Sequence, residues 1–383
     1  MLRKLKKRIE SFIAHPNSQD EGVLSLLWQA LPYYVSGSGF SFPPKIIYLV
    51  VNSVCNLHCK MCDVGMKDKD TYFYKNMVAD AHQELDPVRL KKLFDEVKKF
   101  KPLISITSTE PLLYKPLLEV CGYASKKCGL KVSINTNGLL LEDMAEGLLN
   151  AGITRLVVSL DGPPEVNDMI RGLPGGFNRV LTGMRKIDTL KKEKKLQYPR
   201  FATIHVITNY NFDSLDRIPR YFDGIDIEKF IFSHMTFITQ EIADAHNRMY
   251  AHTYPITHSC ISGGIDPKKV DIEVLWGQLG KVKRMLKHKA FFSPTMDKGD
   301  LRNYYLEPNS FIGGHRCYIP WGVSQVTAAG DVVGLTRCFH CPMGNIYENS
   351  FKEIWNGDKL RRFRKDLRAK GAFIACSRCR GVL

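Results

Sequence analysis

A chain of 383 residues with 44% hydrophobic content is long enough for a sizeable core and too apolar to be a disordered tail or linker. It carries 55 Lys and Arg against 39 Asp and Glu, a formal charge of +16, which favours anionic partners. Eleven cysteines in so large a chain, behind an N-terminal apolar stretch too short for a signal peptide, argue against a disulfide scaffold and for metal ligation in a reducing compartment. With no run long enough to span a bilayer, the expected location is the cytoplasm.

In Met1-Leu-Arg-Lys-Leu-Lys-Lys-Arg-Ile-Glu-Ser-Phe-Ile13, residues Leu2, Leu5, Ile9, Phe12 and Ile13 share one helical face, with cations opposite. That is the pattern of a membrane-surface helix, giving a peripheral membrane contact, or of a helix packed on the protein with a solvated basic face, the commoner case. Residues 1–43 are read as a basic helical extension. The apolar, β-branched run Lys45 to Asn52 reads as a buried parallel strand.

Directly behind it stands Cys55-Asn-Leu-His-Cys59-Lys-Met-Cys62. The spacing CxxxCxxC puts three thiolates on one tight loop, enough for three irons of a 4Fe-4S cube, with the fourth iron left open for chemistry. Zinc would want a fourth ligand close by to complete a tetrahedron, and His58, lodged between the cysteines, is expected to point away.

A helix is predicted from Pro87 to Phe100, a second strand over Leu103 to Thr107, then Ser108-Thr-Glu110-Pro111. Further strands are read at Lys131 to Asn135, running into Thr136-Asn137-Gly138, at Leu156 to Ser159, running into Leu160-Asp161-Gly162, at Phe201 to Asn209 and at Lys229 to His234; Ile170-Arg171-Gly172 follows the fourth. Strands alternating with helical stretches argue a parallel sheet with right-handed crossovers. Six such units make an α/β fold, a partial (β/α)6 barrel with reactive groups on its C-terminal rim.

In this order, the segments from about residue 44 to 235 resemble the radical S-adenosylmethionine (radical SAM) superfamily. The resemblance implies that Cys55, Cys59 and Cys62 hold a 4Fe-4S cluster whose open iron chelates S-adenosylmethionine. Reductive cleavage of the cofactor then yields a 5′-deoxyadenosyl radical that removes a hydrogen atom from substrate. Ser108 and Thr109 replace the family's two glycines, and Glu110 falls where the family binds the cofactor's ammonium group. Asn137, in the family's Thr-Asn-Gly turn, Ser159 at the ribose or carboxylate end and Arg171 at the carboxylate complete the implied cofactor contacts. A flavodoxin- or ferredoxin-type electron donor is implied as well.

Residues 236–316 carry no family motif and read as a bridging segment with substrate contacts. A helix is predicted from Ile272 to Lys287; His246, His252 and His258 lack the i, i+3 or i+4 spacing of a shared helical face and read as loop polarity. Cys260, outside both cysteine groups, is a candidate hydrogen-atom donor in an epimerisation, or an inert loop thiol, the commoner case. Cys121 and Cys128 read as buried free thiols.

The second group is Cys317, Cys338, Cys341, Cys376 and Cys379, with a β-hairpin predicted over Val323 to Thr336 and a basic surface helix over Lys359 to Lys370. No nucleic-acid-binding fold accompanies that helix. The order resembles the SPASM and Twitch extensions of radical SAM enzymes, over residues 317–383. Five cysteines are too few for two auxiliary clusters; one fits, with Cys317, Cys338, Cys376 and Cys379 as ligands and Cys341 competing with Cys338. A zinc ribbon of Cys338, Cys341, Cys376 and Cys379 is the alternative.

The expectation is therefore an enzyme with S-adenosylmethionine and two 4Fe-4S clusters. It would oxidise or epimerise a sugar or other small metabolite, a conjugate or an anionic molecule included. The alternatives are a maturase of a ribosomally made peptide and a non-catalytic iron-sulfur or zinc protein.

Overall fold

Apolar β-branched runs alternate with amphipathic segments along the chain, and one sheet collects the strands. The computed structural model describes residues 23–78, 83–307, 310–312, 316–334, 339 and 341–379; the basic stretch 1–13 and Cys338 lie outside them. The order is α1 (Val23–Val35), β1 (Ile46–Leu49), α2 (Tyr72–Val78), α3 (Pro87–Val97), β2 (Leu103–Ile106), α4 (Leu117–Gly122), β3 (Val132–Thr136), α5 (Ala145–Asn150), β4 (Arg155–Ser159), α6 (Pro164–Arg171), α7 (Gly176–Glu193), β5 (Arg200–Ile207) and β6 (Ile227–His234). There follow α8 (Gln240–Tyr250), α9 (Ile272–Leu286), β7 (Ala290–Ser293), α10 (Lys298–Leu306), β8 (Val323–Val326), β9 (Asp331–Val333), β10 (Gly344–Asn345), α11 (Phe351–Trp355) and α12 (Asp358–Lys370).

Local chemistry sets the boundaries. Asp86 caps α3 by accepting the Arg89 N–H, Pro87 occupies the first turn, and Leu90, Leu93, Phe94 and Val97 form its buried face. A tight turn carries the helix on to Phe100, and Lys101 leaves it in a left-handed conformation. The basic helix predicted from residue 359 is α12, whose Leu360, Phe363, Arg364 and Leu367 are buried.

The sheet has ten strands in the order β10-β9-β8-β1-β2-β3-β4-β5-β6-β7. Strands β1 to β6 run parallel in sequence order, as the six-unit barrel requires. Two further parallel strands extend it. β7, from the bridging segment, adds to β6, and β8 pairs with β1 over Ile46↔Val323 to Leu49↔Val326. The C-terminal hairpin is thus not a separate sheet: β9 and β10 continue it antiparallel from β8.

Side chains alternate across the strands. Ile47, Leu49, Ile104, Ile106, Val132, Ile134, Leu156 and Val158 are at most 1% exposed and face the helices, each contributing roughly 1.5–3 kcal/mol of burial. The opposite set, facing the barrel interior, is mixed: the polar Tyr48, Ser105, Ser133, Asn135, Ser159 and Gln325 stand there among the apolar Ile46, Leu103, Val157 and Ile204.

The C-terminal region also locks onto the N-terminal segment. Tyr33 of α1 packs edge-on to Tyr318 and Trp321, and the buried Arg364 donates to the carbonyls of Pro320 (2.8 Å) and Gly39 (3.2 Å) while lying over the Trp355 ring. Because β8 belongs to the same hydrogen-bonded sheet as β1, barrel and C-terminal region should unfold together. Far-UV circular dichroism and the fluorescence of Trp321 and Trp355 are expected to give one coincident thermal transition; two separated transitions would contradict the shared sheet.

Candidate active site

The cysteine loop leaves the C-terminal end of β1 and is tied down on three sides. Within it, Cys62 N–H reaches Cys59 O (3.1 Å) and Met66 N–H reaches Cys62 O (2.9 Å). From α6, Ile170 O accepts Lys60 N–H at 2.9 Å, and Gly172 backs onto His58, where a Cβ would stand 3.2 Å from the His58 carbonyl oxygen. Gly65 lies closer still: a Cβ there would sit 2.6 Å from Cys59 N and 2.8 Å from its carbonyl oxygen.

The third side comes from the bridging segment, a set of contacts that sequence reasoning missed. Asp63, fully buried next to Cys62, accepts Ser259 Oγ and Cys260 N–H, each at 2.7 Å. Asp68 accepts from Ser262 (2.5 Å) and pairs with His258 (3.2 Å), and Thr257 Oγ1 accepts Tyr72 N–H at 2.8 Å. Lys60 lies over the Tyr210 ring, whose hydroxyl donates to Gly263 O at 3.0 Å.

Cys260 therefore sits beneath the loop, 2% exposed, in left-handed backbone at φ +57°. Of the histidines read as loop polarity, His246 departs from that expectation. It lies in α8, fully buried, donating from Nε2 to Tyr254 O (2.7 Å) and accepting Ala375 N–H (3.4 Å). His58 turns to the Gly65 carbonyl at 3.4 Å.

Burial pushes the thiols up, Cys59 to about 12 and Cys55 more modestly, although the Arg171 cation opposes this at both. Cys55, Cys59 and Cys62 lie within electrostatic reach of one another. Yet no three His, Cys, Asp or Glu side chains among the described residues gather tightly enough for a single ion. A cube would give each thiolate its own iron, and the binding of iron would deprotonate thiols that otherwise hold their protons.

Glu110 joins the strand ends along the rim. Its Oε1 accepts Leu112 N–H (2.9 Å) and Thr136 Oγ1 (2.7 Å), and its Oε2 accepts Asn137 N–H (2.7 Å). A carboxylate has about four acceptor positions, so one remains for an incoming ammonium group. Burial raises its pKa, opposed by those hydrogen bonds and by Arg171. Asn137 also donates to Asn56 inside the cysteine loop, at 2.7 Å. Where the family has its glycines, Ser108 takes φ +96°, a glycine-favoured backbone held despite its side chain, at a cost of about 1–3 kcal/mol. Thr109 Oγ1 anchors to Asn52, which in turn donates to Glu110 O.

Arg171 donates to Asp161 at 2.6 Å, a buried pair whose carboxylate also accepts Val206 N–H at 2.7 Å. The Arg171 Nε is buried without a partner among the described residues. An anionic group such as the cofactor's carboxylate would satisfy it. Ser159 ends β4 on the interior face. Asp161 is the member that sequence reasoning quoted in its motif but gave no role.

In the second group, Cys317, Cys376 and Cys379 come together: Cys376 and Cys379 lie within electrostatic reach of each other and of Cys317, and burial pushes Cys317 to about 12. Cys341 stands apart, near Lys359 and Tyr254. Between Cys376 and Cys379, buried Arg378 donates to the carbonyls of Asn303, Glu307 and Ser310, closing the C-terminal end of α10. Cys121 and Cys128 are buried free thiols.

The radical SAM superfamily model matches residues 49–221, and the SPASM iron-sulfur cluster-binding domain model matches residues 317–380. The chain belongs to the radical SAM superfamily. Its cofactors are S-adenosylmethionine and a 4Fe-4S cluster, with auxiliary iron-sulfur ligation in the SPASM domain. Its sequence is 25% identical over 347 residues to the AdoMet-dependent heme synthase of Methanosarcina barkeri, covering 87% of this chain and 88% of that protein. It is 24% identical over 350 residues to the pre-heme d1 synthase of Dinoroseobacter shibae, covering 88% and 80%. Streptococcus suis SuiB, bound to its precursor peptide SuiA, shares the fold with a TM-score of 0.59 at 12% identity, over 94% of this chain and 78% of that one. Among the described residues of this radical SAM protein no helix is long and apolar enough to cross a membrane.

Two outcomes test the site. Gly65→Ala must displace the Cys59 backbone, so the reconstituted variant is expected to lose about four irons per chain and keep its far-UV spectrum; a full iron complement would show that the loop tolerates the intrusion. His205 supports the β4 end from below, donating from Nδ1 to Leu160 O and accepting the Thr203 hydroxyl at 2.8 Å. Burial lowers its pKa from 6.5 to about 3, so the unfolded chain binds the proton first as the pH falls. Its contribution is complete above pH 6.5 and is lost on acidification toward pH 3, at up to about 1.4 kcal/mol per pH unit. Denaturant midpoints measured between pH 7 and 4 should fall more steeply for the native protein than for His205→Asn; parallel slopes would remove His205 from the acid response.

Proposed function

We propose that this radical SAM enzyme removes a hydrogen atom from carbon of a hydroxyl-rich small molecule, a sugar or sugar conjugate, and oxidises it. The observation that carries the reading is the group of polar side chains on the interior face beside the cysteine loop, where Tyr48, Ser105, Ser133, Asn135, Ser159 and Gln325 offer hydroxyl and amide partners among the apolar Ile46, Leu103 and Val157. When bound, the cluster and S-adenosylmethionine supply the hydrogen-abstracting radical.

The chain's own residues bind and aim. Cys55, Cys59 and Cys62 would ligate three irons. Glu110 keeps one acceptor position for the cofactor's ammonium, Arg171 Nε would donate to its carboxylate, and Asn137 and Ser159 line the same rim. The placement of Cys260, buried under the loop with its N–H on Asp63, supports oxidation over epimerisation, which needs a thiol facing substrate. For the auxiliary cluster, the convergence of Cys317, Cys376 and Cys379 away from Cys341 supports Cys338 as the fourth ligand.

A second reading is favoured by the length of the match to the two heme-pathway relatives: a tetrapyrrole carboxylate as substrate, which the +16 charge also suits. A flavodoxin- or ferredoxin-type protein is proposed as the electron donor.

Anaerobically reconstituted protein is expected to carry about eight irons, falling to about four in the Cys338→Ala variant but not in Cys341→Ala. The triple Cys55, Cys59, Cys62→Ala variant should form no 5′-deoxyadenosine. Mass spectrometry of reactions offered sugar nucleotides, tetrapyrroles or peptides separates the readings. A sugar conjugate that raises 5′-deoxyadenosine at least about tenfold, with a product two hydrogens lighter, bears out the proposal; the same response to a tetrapyrrole or peptide overturns it.

A further inference from the structure

Residues 22–44 contain no charged side chain, although a quarter of the chain is charged. This stretch holds α1. One face of α1 is used internally, where Tyr33 packs on Tyr318 and Trp321. On the other, Trp28, Leu31 and Val35 follow one another at i, i+3 and i+7 and are 43%, 47% and 68% exposed, with Phe40 (45%) just beyond. Such a contiguous apolar stripe marks a contact surface rather than ordinary scattered exposure.

Cations rim the stripe. Lys45 Nζ lies 5.6 Å from the Trp28 ring centre and the Arg316 guanidinium 5.9 Å from that of Tyr34. Arg361 donates to Ser38 O (3.0 Å), and Arg368 to Ser36 O (2.9 Å) and Tyr34 O (3.1 Å). Among the described residues none of these four cations has a carboxylate partner. Aromatic and aliphatic side chains between unpaired cations match the boundary of an anionic bilayer, where rings sit at headgroup depth and cations meet phosphate.

We propose that α1 docks flat on an anionic membrane surface, inserting Trp28, Leu31 and Val35 while Lys45, Arg316, Arg361 and Arg368 contact the headgroups. The helix has 13 residues, about 20 Å in length, short of the ~30 Å hydrocarbon core, so it lies on the bilayer and does not cross it. A second copy of the chain suits the patch less. An isologous contact would bring the four cations of one copy against their equivalents, with no acid to balance them. The sequence of residues 1–13, outside the described part, adds Arg3, Lys4, Lys6, Lys7 and Arg8 to the same end of the chain.

The test uses the full-length reconstituted protein with vesicles of phosphatidylcholine alone or with 40% phosphatidylglycerol, by co-sedimentation. Binding at least about tenfold tighter to the anionic vesicles, weakening as salt is raised, is expected. Leu31→Glu/Val35→Glu should weaken it at least about tenfold with iron content and far-UV spectrum unchanged. Bromine-labelled lipid should quench native fluorescence more than that of Trp28→Phe. Three results would overturn the proposal: equal failure on both vesicles, undiminished binding by the double variant, or a lipid-free dimer that the double variant converts to monomer in light scattering.

Discussion

Three buried cysteines on one loop resist ionisation until iron binds, because each thiolate added raises the cost of the next. The surrounding structure answers that constraint by immobilising the loop's backbone. Backbone contacts from α6, the close approach of Gly65 and the buried Asp63 each fix a different part of the turn. Arg171, a cation within reach of Cys55 and Cys59, is itself restrained by Asp161, which Val206 and Asn211 hold in turn. Removing Asp63 would take away the carboxylate that accepts the buried Ser259 hydroxyl and Cys260 N–H, at about 1–3 kcal/mol for each.

This arrangement ties the bridging segment to the cysteine loop. The peptide from Thr257 to Gly264 rests against the cysteine loop, while His246 and the Ser310 carbonyl of the same segment hold Ala375 and Arg378 beside the second cysteine group. One connecting region thus contacts both places where iron would bind.

Much of the barrel was legible because its strands are short apolar β-branched runs with family motifs at their C-terminal ends; β1 to β6 fall where those runs predict them. β7 was not, since Ala290-Phe-Phe-Ser293 follows a Lys-His-Lys turn and has neither length nor alternation to announce a strand. The hairpin after Cys317 was legible locally, but its parallel pairing with β1 was not, because register between distant segments leaves no local periodicity. The same holds for Asp63 and Cys260, joined across 197 positions. Cys260 read as a candidate hydrogen-atom donor or an inert loop thiol, and its own N–H on Asp63, with Ser259 and Ser262 bound beside it, draws it under the loop. At Ser108 the sequence departs from the family's glycine while the backbone keeps the glycine conformation, which residue type alone does not reveal.

The pairing of β8 with β1 has a consequence during synthesis. Roughly 270 residues separate the two strands, so at ~5–20 residues per second a ribosome needs roughly 15–55 s to deliver β8 after β1 has emerged. Throughout that interval the hydrogen-bonding edge of an apolar strand stands open, the kind of edge that recruits other chains. That edge is closed only when β8, in the last sixth of the chain, has been made.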